Sequence, residues 1–125
     1  MTTPASVAPL VLLVADYDDA REMYAAYLRL DGFRVEEAAD GAEALRAAAA
    51  LAPDAIVMDL SLPVLDGFET IARLRGETAT RAIPIVALSG FPAARERDAG
   101  WNAFVEKPCM PEELTGAVRS VLSRP

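Results

Sequence analysis

Residues 54–67 read Asp54-Ala55-Ile56-Val57-Met58-Asp59-Leu60-Ser61-Leu62-Pro63-Val64-Leu65-Asp66-Gly67. Four apolar residues run into a carboxylate. A Pro-containing turn follows, and then an Asp-Gly pair that suits a helix start. The stretch is therefore a strand, Ala55–Asp59, then a turn, then a helix that begins near Asp66 and stops before Gly76. A strand this apolar is buried on both faces, as in a parallel sheet covered by helices.

Working outward, the same unit recurs. Leu10–Ala15 is a strand that ends on Asp16. A helix follows from Asp18 or Asp19, either a good N-cap, with Met23, Tyr27 and Leu30 at helical spacing and Gly32 as terminator. Phe33–Ala38 alternates apolar Phe33 and Val35 with Arg34 and Glu36, the pattern of an edge strand with one wet side. The Ala-rich second helix runs from Asp40 to Leu51, with Pro53 beyond it. Downstream, Ile83–Ser89 is a fourth strand, and a fourth helix is confined between Pro92 and Gly100. Ala103–Glu106 is a fifth strand, and Pro111–Leu122 a fifth helix. Strands alternating with helices predict an α/β fold with a parallel sheet. No linker or low-complexity stretch interrupts it, so residues 1–125 read as one domain with its core at about 10–122.

Composition narrows the function. A net charge of −7, with no dense Lys/Arg cluster, argues against nucleic acid as a direct ligand. The longest apolar run, Val7–Ala15, is too short to span a membrane, and Met1–Ala8 has no basic leader, so a cytoplasmic location is expected. One Cys excludes an internal disulfide and suits a reducing compartment. The absence of His removes Ser-His and Cys-His nucleophile systems, so any phosphohistidine belongs to a partner.

The chemistry-bearing residues share one address. Asp16, Asp59, Ser89 and Lys107 each follow an apolar run, at the carboxyl ends of strands, where open parallel sheets hold their ligands. Lys107 is the single Lys among 12 basic residues, and a compact ammonium is not interchangeable with a guanidinium fork. Two carboxylates brought close need a cation between them. Mg²⁺ is the natural one, since it takes one or two carboxylates, keeps waters and leaves room for phosphate oxygens. A carboxylate is also a nucleophile able to form an aspartyl phosphate, and a metal, a Lys and a hydroxyl neutralise a phosphoryl group in transfer.

At this point the chain resembles the bacterial response-regulator receiver domain, of the single-domain chemotaxis-receiver kind. The resemblance is carried by residues 54–67, by Val86-Ala87-Leu88-Ser89-Gly90 and by Glu106-Lys107-Pro108, and covers about Leu10 to Leu122. It implies a flavodoxin-like, doubly wound (βα)5 fold with strand order 2-1-3-4-5. It implies Asp59 as phosphoacceptor; Asp16, Asp59 and the Ser61 carbonyl as Mg²⁺ ligands; and Ser89, Gly90 and Lys107 around the phosphoryl group. Ser89 and Phe104 become the switch pair. The donor would be a sensor histidine kinase or phosphotransfer protein. Output would go to a protein target, or through a homodimer, by the face of helix four, strand five and helix five. Beyond self-catalysed phosphorylation and dephosphorylation of its own aspartate, no enzyme activity is implied.

Several residues depart from that pattern. The family carries two adjacent acids after strand one, and here they are Ala15-Asp16, which should weaken Mg²⁺ binding. A pseudo-receiver acting as a phosphorylation-independent adaptor is the alternative this substitution raises. Asp18 and Asp19 are expected to cap helix one, and Tyr17 to cover its end. Only Ala93–Ala99 is left for helix four, although the 17 residues between Ser89 and Lys107 suffice for a crossover of about a dozen. Trp101 fits either a partner anchor or a cover for that shortened helix. Cys109 reads as an ordinary packed or half-exposed residue rather than a reactive redox thiol. A haloacid-dehalogenase-type phosphatase would want an Asp at Ser61, and a flavodoxin's phosphate would be repelled by Asp16-Tyr17-Asp18-Asp19.

Overall fold

The computed structural model describes residues 8–62, 65–97 and 99–123. The Met1–Val7 part of the leader reading, Pro63 and Val64 of the central motif, and Asp98 lie outside them. The elements are β1 (Leu10–Val14), α1 (Asp18–Leu30), β2 (Arg34–Ala38), α2 (Gly41–Leu51), β3 (Ala55–Asp59), α3 (Gly67–Gly76), β4 (Ile85–Ser89), a 3₁₀ turn (Pro92–Glu96), β5 (Ala103–Glu106) and α4 (Pro111–Leu122). The five strands are all parallel in the order β2-β1-β3-β4-β5, the flavodoxin-like arrangement expected.

The apolar strands split their side chains between two cores, as a period of two requires. Val11, Leu13, Val57, Val86 and Leu88 pack with Leu28 of α1 and Leu114 and Val118 of α4. Leu12, Val14, Ile56, Met58, Ile85 and Ala87 pack with Ala44 and Ala48 of α2 and Ile71 and Leu74 of α3. Strands β3 and β4 are buried at every position, whereas β2 keeps Arg34 and Glu36 exposed, as an edge strand should.

Local chemistry sets the boundaries. Asp40 and Asp66 cap α2 and α3, accepting from the N–H groups of Glu43 and Glu69. Gly32, at φ +99°, turns the chain out of α1. Phe33 donates its N–H to Leu28 O and so closes the helix instead of opening β2. β4 starts at Ile85 rather than Ile83, because Pro84 has no N–H for the ladder. At the far end of β1, Ala15 lies just past the strand and still donates to Ala38 O.

Three expectations about helices are corrected. The buried stripe of α1 is Tyr24, Ala25 and Leu28; Met23 is half exposed and Leu30 lies in solvent. The spacing was right and the face one residue off, because Ala25 counts as a core residue and Leu30 overhangs the end. Asp18 and Asp19 do not cap α1. Tyr17 holds the N-cap position without a side-chain hydrogen bond, and the acids sit in the first turn, where the helix dipole favours them. Helix four is the 3₁₀ turn Pro92–Glu96, with no α-helix between β4 and β5 among the described residues. Seven residues nucleate a helix poorly, and of this turn only Ala94, partly buried, packs against the core.

In place of that helix stands a side-chain assembly. Trp101 packs between Phe68 and Phe104, ring centroids 6.1 and 5.3 Å away. Arg97 lies over Phe68 at 3.8 Å and Arg95 over Phe104 at 4.7 Å. Beneath, Arg75 of α3 donates to Gly100 O (2.9 Å), Arg81 O (2.8 Å), Ile83 O (2.7 Å) and Asn102 Oδ1 (2.9 Å). Trp101 is therefore a cover for the reduced crossover, one of the two roles its sequence allowed.

Candidate functional site at the carboxyl ends of the strands

Asp59 closes β3 and is only 7% exposed. Lys107, directly after β5, places Nζ 2.9 Å from Asp59 Oδ2, and Ser61 N–H donates to Asp59 Oδ1 at 2.9 Å. Both carboxylate oxygens thus face donors, in a setting dry enough to strengthen the attraction. Gly67 at the start of α3 makes the approach possible. A Cβ there would stand 2.6 Å from Asp59 O and 2.5 Å from Leu60 Cα.

Ser89 ends β4 and is buried. Its hydroxyl accepts from Phe91 N–H at 3.0 Å and faces Phe91 O at 3.4 Å. Gly90 beside it is exposed. Phe104, on β5, is half-buried in the aromatic stack. Asp16 and Tyr17 are both exposed, so Tyr17 covers nothing. The strand ends bring Asp59, Lys107, Ser61 and Ser89 together; Asp16 stands at the rim, one residue beyond Ala15.

Sequence reasoning missed Arg21. Its Nη1 donates to the carbonyls of Ala15 (2.8 Å) and Asp16 (3.3 Å), Nη2 to Asp18 Oδ1 (2.7 Å) and Nε to Glu37 Oε1 (3.1 Å). Burial works against this guanidinium's charge, but its bonds to Asp18 and Glu37 hold its pKa above the usual value. The only signal was an Arg three residues after Asp18. Tyr24 of α1 lies close on the same side, its phenol pushed up by burial and then by the charges of Cys109 and Asp59.

Among the described residues no three His, Cys, Asp or Glu side chains gather into a metal-binding cluster. The donors the family resemblance implies are the carboxylates of Asp16 and Asp59 and the Ser61 carbonyl. This sparse, hard, all-oxygen set fits an ion that keeps much of its water, as Mg²⁺ does.

A family model for the response regulator receiver domain matches residues 11–119. This chain belongs to that family. The receiver domain is 40% identical over 121 residues to the transcriptional regulatory protein PrrA of Mycobacterium tuberculosis, covering 94% of this chain and 51% of PrrA. The chain thus spans about half the length of the curated relatives it matches. Among solved structures, it is similar to the receiver domain of sensor histidine kinase PA1611 of Pseudomonas aeruginosa, a structure with a magnesium ion coordinated in its active-site cleft. That comparison has a TM-score of 0.88 and 34% identity, covering 94% of this chain and all of the other. It is similar too to the chemotaxis protein CheY4 of Vibrio cholerae, with TM-score 0.86, 32% identity and coverage of 93% and 100%. The receiver domain is a module of two-component signalling, and no helix among its described residues is long and apolar enough to cross a membrane.

Proposed function

We propose that this receiver domain takes a phosphoryl group from a phosphohistidine onto Asp59 and passes the signal on by protein contact. The observation that carries the reading is the buried Asp59 carboxylate with the chain's single ammonium, Lys107 Nζ, 2.9 Å away. In the transfer, an Asp59 oxygen forms a P–O bond as the donor's P–N bond breaks, and the leaving imidazole takes its proton from solvent. Lys107 holds one phosphoryl oxygen. The Ser89 hydroxyl turns from Phe91 toward another, and Gly90 N–H offers a further donor. Asp16, Asp59 and the Ser61 carbonyl would hold Mg²⁺, which when bound would neutralise charge on the phosphoryl oxygens. The magnesium in the related PA1611 receiver supports this assignment.

Output runs through Ser89 and Phe104. Rotation of the hydroxyl opens space beside the ring, and the surface of the 3₁₀ turn, β5 and α4 changes with it. The partners are a sensor histidine kinase or phosphotransfer protein, then a protein target or a second copy; nucleic acid is not bound directly. The receiver core, about residues 10–122, acts as one unit, with catalysis limited to its own phosphorylation and dephosphorylation. The lone Cys suits the reducing cytoplasm.

Incubation with acetyl phosphate and Mg²⁺ should add one phosphoryl group by intact mass, and Asp59→Asn should abolish it. An unchanged yield in that variant overturns the assignment. Ala15 favours a second reading, the pseudo-receiver adaptor. It is buried, carries no carboxylate, and its carbonyl is taken by Arg21. A titration that finds no Mg²⁺ binding at millimolar concentration would select it.

A further inference from the structure

A cavity of about 290 Å³ opens beside the phosphoacceptor, lined among others by Ser61, Ser89, Phe68, Phe91, Ala94 and Arg97. Ser61 is the residue whose N–H holds Asp59, and Ser89 ends the neighbouring strand. Arg97 is the one charged residue on its wall. Its guanidinium rests on the Phe68 ring at 3.8 Å, and no side-chain hydrogen bond or ion pair of Arg97 is present among the described residues. At an exposed site a cation–π contact is weak, so little holds the guanidinium there. A phosphoryl group on Asp59 would bring close to two negative charges to the edge of this cavity. A guanidinium fork is the side chain best matched to phosphoryl oxygens.

We propose that Arg97 is an additional phosphoryl-binding cation: parked on Phe68 before transfer, it crosses the cavity to the phosphoryl oxygens once Asp59 is modified. Its departure uncovers Phe68 and loosens the Phe68–Trp101–Phe104 stack, which occupies the place of the missing helix. The modification is thereby coupled to the surface that the helix would otherwise form. The inference rests on Asp59 being the phosphoacceptor.

The test is a double-mutant cycle read by beryllofluoride binding in the presence of Mg²⁺, followed by calorimetry and Trp101 emission. Arg97→Gln should weaken binding about fivefold or more, since a charge-assisted contact is lost. Phe68→Leu should tighten it about two- to fivefold, because the ring no longer competes for the guanidinium. In the Arg97→Gln background, Phe68→Leu should then have no effect. The Trp101 emission change expected in wild type should shrink in Arg97→Gln. If Arg97→Gln binds like wild type, or Phe68→Leu acts equally in both backgrounds, Arg97 does not reach the phosphoryl group, although Asp59 still does. A wild type that binds no beryllofluoride overturns the phosphoacceptor reading and this one with it.

Discussion

Lys107 offers Asp59 a point charge on a flexible stem, which a planar fork does not reproduce. Lys107→Arg should slow phosphorylation by acetyl phosphate by something of the order of a hundredfold, the scale set by losing one well-placed donor to a developing charge. A time course by intact mass measures it; a rate within twofold of wild type would mean that Lys107 makes no phosphoryl contact. The metal side should respond the other way. Ala15→Asp restores a carboxylate next to Asp16, and calorimetry should find Mg²⁺ bound at least about threefold tighter. Equal affinity would show that a carboxylate at position 15 does not reach the cation. Asp59, Ser89 and Lys107 were legible in the sequence because each polar residue ends an apolar run. Arg21 was not. Its importance comes from Glu37 on the neighbouring strand, a contact that no local spacing encodes.

At the scale of elements, the crossover between β4 and β5 is where sequence and structure part. Its shortness was visible; what replaces the helix was not, because the replacement draws on α3 and on the residues before β5. Arg75 joins them through four hydrogen bonds, and Asn102 Oδ1 also receives Ile85 N–H at the start of β4. Arg75→Ala leaves the carbonyls of Gly100 and Ile83 without this donor. It should cost about 2 kcal/mol in urea unfolding and raise amide exchange in residues 81–85 and 100–102. A loss below about 0.5 kcal/mol would mean the aromatic stack alone holds the crossover. The α1 register shows the limit of reading periodicity: Met23-Tyr27-Leu30 and Tyr24-Ala25-Leu28 are both helical faces, and only packing against β1 chooses between them.

Across the whole molecule, change should be confined to one side. Amide exchange with and without beryllofluoride should differ at residues 90–97 and around Phe104, with α1 and α2 unaltered. A response limited to α1 and α2 would place output on another face. Burial pushes the Cys109 thiol up, and Glu113's charge adds to this against the opposing effect of Lys107. The fold thus favours the protonated thiol. Stability from this source is full below the thiol's unfolded pKa and declines as pH rises through its raised folded value. Alkylation near pH 7.5 should be at least about tenfold slower in the folded protein than in urea. Rapid alkylation of the folded protein would show an accessible thiolate.

Lys107 is the chain's only side-chain amine, three-quarters hidden and drawn onto Asp59. Any reagent selective for primary amines therefore has one internal target, and that target sits on the proposed phosphoacceptor. Acylation by an activated ester becomes a footprint of occupancy, slowing when a phosphoryl group claims the ammonium and quickening when Asp59→Asn releases it. Pro108 follows immediately, so a protease that cleaves after lysine gains no purchase at the same bond. An Arg-for-Lys economy has left this receiver with a built-in, singly addressable reporter beside the Asp59 carboxylate.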